Sequence, residues 1–302
     1  MAQVQHISTA TPPQDQPACW DQLGFIPGQV VRACGMRRSG NHAILNWLQR
    51  NAPPQGAVFL NNCKPGTNPL DNFATIEINA KQVFVKSGKD QLALATTPVS
   101  DGALFVFSIE DNSPAEFLRK RALSGNFDEA KIDVDLLIYR SFLNWSASLL
   151  KKMQPNTGYS LSRRTSIILH AIDKYTRLLN LISQTEGMQG VVPICYDAWA
   201  KSQTYRADIL NRLNLTPRDN TLGAVQHYGG GSSFQKQVQS PQDLQTAHRW
   251  QQMSDDPEFQ AIALLASHDA ALTHQLTQHF PRDAARLAQL SHQISLPQDD
   301  LP

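Results

Sequence analysis

Short, almost unbroken apolar runs recur along the chain, and most lead through a polar or glycine-containing turn into a helical period. Residues 29–34 (Gln-Val-Val-Arg-Ala-Cys), 57–60, 103–107, 134–139 and 191–195 have strand length and little polar alternation, the pattern of strands covered on both faces. A further short strand is expected at 82–85, and residues 64–80 look irregular. Helical periods follow the first strand (Ile44, Leu45, Trp47, Leu48) and run from about 140 to 152. They return over 163–187 (Ile168, Ala171, Ile172, Tyr175, Leu178, Leu179, Ile182), over 203–213 and over most of 242–292. Ser113-Pro114 has the form of a helix start. Strands alternating with helices predict an α/β fold: a P-loop-containing central parallel sheet flanked by helices, with a helical C-terminal extension. Residues 1–25 are expected to be a loose Gln/Pro/Thr-rich lead-in, and 26–302 a single α/β domain.

Charge changes this picture little, and that is informative. The 27 basic and 26 acidic residues leave a net charge of +1, so no global field draws the chain to nucleic acid or a membrane. Any anion it binds must be held by a local site. No run of about 20 apolar residues spans a bilayer, and residues 1–20 contain no apolar signal-peptide core. Cys19, Cys34, Cys63 and Cys195 form neither a CxxC pair nor a zinc-spaced cluster and read as free thiols. A soluble, cytoplasmic protein without a metal site is expected, its oligomeric state open.

The candidate local site is the first strand–helix turn. Gly35 and Gly40 bracket it at the spacing of a phosphate-binding loop, where glycines let backbone amides at a helix N-terminus approach an anion. A nucleoside-triphosphate loop would continue with Lys and a magnesium-binding Ser/Thr. Here Asn41 and His42 follow, and the cations, Arg37 and Arg38, lie inside the loop beside Ser39. The cradle suits a phosphate-like group without its magnesium.

Arg38-Ser39-Gly40-Asn41-His42 resembles the 5′-phosphosulfate loop of the sulfotransferase superfamily, usually Lys-Ser-Gly-Thr-Thr. The longer run from Gly35 through Ile44 to Trp47-Leu48 is similar to a bacterial branch of it. Arg38 falls at the position of the catalytic Lys. Arg140 precedes Ser148 by eight residues after a buried strand, the spacing of the family's 3′-phosphate motif. Tyr196, in Cys195-Tyr196-Asp197, resembles the residue beside the adenine. Tyr228-Gly-Gly-Gly-Ser-Ser-Phe234 stands where members close the site with a glycine-containing loop, which points to Gly231, Ser232 and Ser233. The four segments follow the family's order.

The resemblance implies sulfuryl transfer from 3′-phosphoadenosine 5′-phosphosulfate, without a metal, to a hydroxyl or amine. The loop arginines would stabilise charge on the leaving phosphate. Glu110, with Asp111 beside it, is the first candidate for general base, and His42 the second. Lys86 and Lys89 are candidates for added positive charge. The acceptor, a small molecule or glycan with carbohydrate favoured, would meet variable loops such as 64–80 and 153–163, with Trp20, Trp145, Trp199 and Trp250 as possible stacking faces. Two other readings stay open: a P-loop kinase or NTPase, in which 104–111 plays a Walker B strand, and a nucleotide-binding protein without turnover.

Overall fold

The computed structural model describes residues 20–83, 89–113, 123–223, 234 and 248–291. Seven strands form one sheet: β1 Gln29–Gly35, β2 Ala57–Asn61, β3 Thr75–Ile78, β4 Lys81–Val83, β5 Leu104–Glu110, β6 Val134–Tyr139 and β7 Val191–Cys195. Their order is β4-β3-β2-β5-β1-β6-β7. The five long apolar runs are the five mutually parallel strands, and β3 and β4 add an antiparallel edge. The stretch read as irregular thus contains β3. Thr-Ile-Glu-Ile is too short to register as a strand, and its one acidic residue, Glu77, is buried.

Strand side chains divide by parity, as a pleated sheet requires. Val31, Ala33, Val106, Leu136 and Ile138 enter one apolar layer. Helix α1 (Asn41–Arg50), α5 (Tyr196–Lys201) and α6 (Gln203–Arg212) supply the other half of that layer through Ile44, Trp47, Trp199 and Ile209. Cys34, Phe105, Phe107, Ile109 and Leu137 enter the opposite layer. It is covered by α3 (Phe142–Met153), α4 (Leu161–Gln184) and the C-terminal helices α7 (Pro257–Ser267), α8 (Ala270–His279) and α9 (Pro281–Ser291). A short α2, Lys89–Ala95, lies between β4 and β5. Carboxylates cap the first two C-terminal helices, Asp256 accepting from the Phe259 amide at 3.0 Å and Asp269 from Leu272 at 2.9 Å, and the third begins at Pro281. Of the expected lead-in, residues 1–19 lie outside the described residues, whereas Leu23 and Phe25 are buried in the core and Trp20 packs edge-on against Phe105.

One buried ion cluster crosses this frame. Arg32, in the central strand, pairs with Asp135 of β6 at 2.6 Å, with Glu129 at 2.6 Å, and with the Ser124 hydroxyl at 3.2 Å. It ties the connection ahead of β6 to the middle of the sheet. Among the described residues no helix is long and apolar enough to cross a membrane.

The chain leaves β1 for α1 on one face and leaves β6 for α3 on the other. Neighbouring parallel strands whose connections part in this way open a crevice at their carboxyl ends, the favoured ligand position of open α/β sheets. Both principal motifs of the sequence face it.

Candidate anion site

The turn from β1 to α1 is a backbone cradle most of whose carbonyls are engaged. Met36 O accepts from the Ser39 amide at 3.1 Å and from the Asn41 carboxamide at 3.3 Å. Trp145 Nε1 donates to Arg37 O at 2.9 Å, and Arg140 donates to Arg38 O at 3.3 Å. Gly40 O begins the helix by accepting from the Ile44 amide. With the carbonyls held by protein donors, the amides of Asn41, His42 and Ala43 stay without a protein partner among the described residues, as the first turn of a helix leaves them. They carry the positive end of the α1 dipole, and the first turn contains no acidic residue to compete for it.

Gly40 makes the cradle possible. Its φ of 92° lies in the left-handed region, and a Cβ there would overlap the Tyr196 ring. Arg38 (φ 71°) and Asp111 (φ 56°) are also left-handed, which for bulkier residues signals a turn under constraint. Asp111, just past β5, holds the loop: one oxygen accepts the Arg37 amide at 2.8 Å and the other pairs with the Arg37 guanidinium. Its own amide donates to Gly35 O at 3.0 Å, and its carbonyl accepts from Lys174 Nζ at 2.9 Å.

Three side-chain atoms in the cradle are buried without a partner among the described residues: Ser39 Oγ, Asn41 Oδ1 and His42 Nδ1. Buried polar atoms are ordinarily satisfied, so a cluster of orphans at a helix N-terminus marks the seat of a ligand. Burial holds the His42 imidazole below its ordinary pKa; Glu77 works against this and Arg38 with it, so neutral imidazole is favoured. Glu110 accepts from Asn41 Nδ2 at 3.1 Å. Burial pushes its carboxyl above the usual carboxylate range despite that bond, and Asp111 pushes the same way while Arg37 and Arg38 oppose.

Beside the cradle lies a concentration of positive charge. Ser148 Oγ on α3 takes a hydrogen bond from Arg249 at 3.1 Å and one from Arg38 Nε at 3.4 Å. Arg140, 1% exposed, sits in the turn ahead of α3, where the sequence had placed it within the helix. Its guanidinium lies 5.0 Å from the Tyr196 ring centroid, and Asp197 stands 3.9 Å away. That carboxylate is occupied by the Ser141 amide at 2.7 Å. Burial, with Arg140 and Arg38 nearby, pulls the Arg249 guanidinium down to about 9. Burial and Arg140 likewise act against the charge on Arg38. Two guanidiniums thus meet on one hydroxyl with a third beside them, a concentration of like charge that an anion would relieve.

No family model, curated protein or solved structure matches the chain. The likeness to the sulfotransferases therefore rests on the sequence motifs alone.

The structure brings together Arg37, Arg38, Ser39, Gly40, Asn41, His42, Glu110, Arg140, Ser148 and Tyr196. Tyr196 is 7% exposed, stacked on Trp199 at 5.7 Å and packed behind Gly40, so it walls the loop. Gly231, Ser232, Ser233 and Lys86 lie outside the described residues. Phe234, at the end of the glycine segment, has its ring 5.7 Å from the Arg249 guanidinium. Lys89 opens α2. Trp145 and Trp199 are core residues with no open face, and Trp250 lies under Arg286 at 4.1 Å. The sequence reading missed Arg249 altogether, and named Trp145 and Asp111 without seeing that they hold the loop. Arg249 stands alone in a polar stretch, 101 residues from the serine it contacts, with no spacing to mark it.

Proposed function

We propose that the protein is a sulfotransferase that uses 3′-phosphoadenosine 5′-phosphosulfate. The observation that carries this reading is the meeting of Arg38 and Arg249 on Ser148, with Arg140 bonded to the Arg38 carbonyl, next to a helix N-terminus whose first amides have no protein partner among the described residues. Two adjacent anion seats suit a ligand with two separate anionic groups, one at the helix N-terminus and one at the arginines. The residues after Gly40, Asn41 and His42, offer no hydroxyl at the magnesium position of a triphosphate loop. Arg cannot release its proton near neutrality, so Arg38 acts as a fixed charge and not as an acid.

When bound, the donor supplies an activated, monoanionic sulfuryl group. The amides of Asn41, His42 and Ala43 hold the phosphate oxygens, and Arg38 balances charge on the leaving side. Arg140, Ser148 and Arg249 grip the second phosphate and fix the ligand's orientation. Glu110, at the end of β5 and beside Asn41, takes the proton from the acceptor hydroxyl. Its raised pKa brings it closer to the range in which a carboxylate is an effective base.

Calorimetric titration with adenosine 3′,5′-bisphosphate, with and without magnesium and against ATP, tests the reading. Binding that ignores the metal, exceeds that of ATP at least tenfold and is lost in Arg38→Ala is expected. No binding of the bisphosphate, or binding of ATP only with magnesium, would sink it.

A further inference from the structure

Arg249 is held at both ends by one face of α3. Its guanidinium donates to the Ser148 hydroxyl at 3.1 Å, and its backbone amide donates to Asn144 Oδ1 at 3.0 Å. The Trp250 amide reaches the same oxygen at 3.4 Å. Asn144 and Ser148 are both buried and stand one helical turn apart, so they lie one above the other. We infer that Asn144 is the positioning residue of the second anion seat: it fixes where the Arg249 backbone starts and thereby where the guanidinium ends. The inference takes its ligand from the sulfotransferase reading and its geometry from the hydrogen bonds alone.

A long side chain needs such an anchor. Arginine has much rotamer freedom to lose, and the groups at the tip of Arg249 are a hydroxyl and the Phe234 ring, neither of which grips it as a carboxylate would. Its aim therefore depends on the place of its backbone. A site that orders the arginine before the anion arrives spares the ligand that cost. The two bonds to Asn144 join residues 105 and 106 positions apart, so they serve no local turn.

The Asn144 carboxamide fits in only one sense. Ser141 Oγ donates its single hydrogen to Asp283 Oδ2 at 2.7 Å, and the Leu143 amide donates to the same oxygen at 3.2 Å. With its hydrogen spent, the Ser141 oxygen can only accept, and Asn144 Nδ2 donates to it at 3.1 Å. That turns Oδ1 toward the Arg249 and Trp250 amides, which are both donors. A run of hydrogen bonds thus leads from Asp283 of α9 through Ser141 and Asn144 to the Arg249 backbone, every member set by the one before it. The same helix grips the neighbouring residue: Arg286, one turn after Asp283, lies over the Trp250 ring at 4.1 Å.

A double-mutant cycle on the binding of adenosine 3′,5′-bisphosphate, read by calorimetry, tests the inference. Asn144→Ala should lower affinity about tenfold or more, and adding Arg249→Met should then cost no more than about threefold further, because an arginine without its anchor has stopped contributing. A residue that only supports the fold would leave Arg249→Met its full effect in both backgrounds, and that result overturns the inference. The second readout needs no ligand: hydrogen exchange of the Arg249 guanidinium in the empty protein, followed by heteronuclear NMR and assigned by its loss in Arg249→Met. Asn144→Ala should speed that exchange about tenfold or more. Asn144→Asp keeps an acceptor for the two amides and should leave exchange within about threefold of the wild type. It is the variant to read should alanine disturb folding. Unchanged exchange in Asn144→Ala, or fast exchange in Asn144→Asp, also overturns the inference. Fast exchange in Asn144→Ala, in a protein that binds no bisphosphate, keeps the anchor and removes the sulfotransferase reading.

Discussion

Arg38 and Arg249 both donate to Ser148 with Arg140 close by, so like charges crowd one corner of the candidate site. Removing one should therefore cost affinity but not stability. Arg249→Met is expected to lower bisphosphate affinity at least thirtyfold while leaving the empty protein as stable or about 1 kcal/mol more so, since replacing a buried charge by an apolar chain of similar length is often favourable. Chemical denaturation with and without ligand measures both. The pH dependence gives the sign: with the folded Arg249 pulled down to about 9, the unfolded chain binds more protons above that pH. The empty wild type should gain stability as pH rises from 8 to 10, and Arg249→Met should lose that gain. At this scale the site was legible wherever its residues cluster in sequence. Gly35 to His42 announce an anion cradle because the glycines, arginines and serine fall within one turn. Arg249 was invisible because chemistry assembled by tertiary contact leaves no local spacing to read.

The turn from β1 to α1 holds its shape because most of its carbonyls are tied off. Trp145 is the donor that reaches Arg37 O, from a ring stacked on Tyr175 at 4.7 Å whose hydroxyl in turn donates to Arg140 O. Trp145→Phe keeps the stack and removes the donor. A buried carbonyl left without its partner costs about 1–3 kcal/mol. Loosening of the loop should show as a bisphosphate affinity reduced about fivefold or more, read by calorimetry alongside thermal denaturation. The five parallel strands were legible because burial on both faces erases polar alternation and leaves apolar runs. β3 was not, because four residues carry too little pattern, and Glu77 in their midst reads as surface. In the fold that carboxylate is 5% exposed and accepts from Gln49 Nε2 at 2.8 Å. The helix containing Ser148 was legible too, but Arg140 proved to lie in the turn before it, because Ser141 and not Arg140 stands at the helix cap.

Across the whole molecule, the C-terminal helices do more than cover a sheet face. Asp283 of α9 is buried and accepts from the Ser141 hydroxyl at 2.7 Å and from the Leu143 amide at 3.2 Å, which caps α3 from outside. Burial raises its pKa against both bonds. Asp283→Ala should cost about 1–2 kcal/mol, as the loss of a cap does, and weaken bisphosphate binding severalfold because the Arg140–Ser141 turn loosens. Asp269→Ala, which removes a cap within the same helices but far from the crevice in contacts, should cost similar stability and leave binding unchanged. Calorimetry and thermal melts on both variants separate the two effects. The sequence showed these helices as an extension, since amphipathic periods reveal a covered face but not what a capping carboxylate reaches across to. Arg249 shares their position late in the chain, and this gives the site a history during synthesis. The cradle leaves the ribosome early, yet Arg249 follows Arg38 by 211 residues (249 − 38). At 5–20 residues per second that interval is roughly 10–40 s. A nascent chain passes through it with the cradle formed and its distant arginine still to come, so the candidate site is complete only late in synthesis.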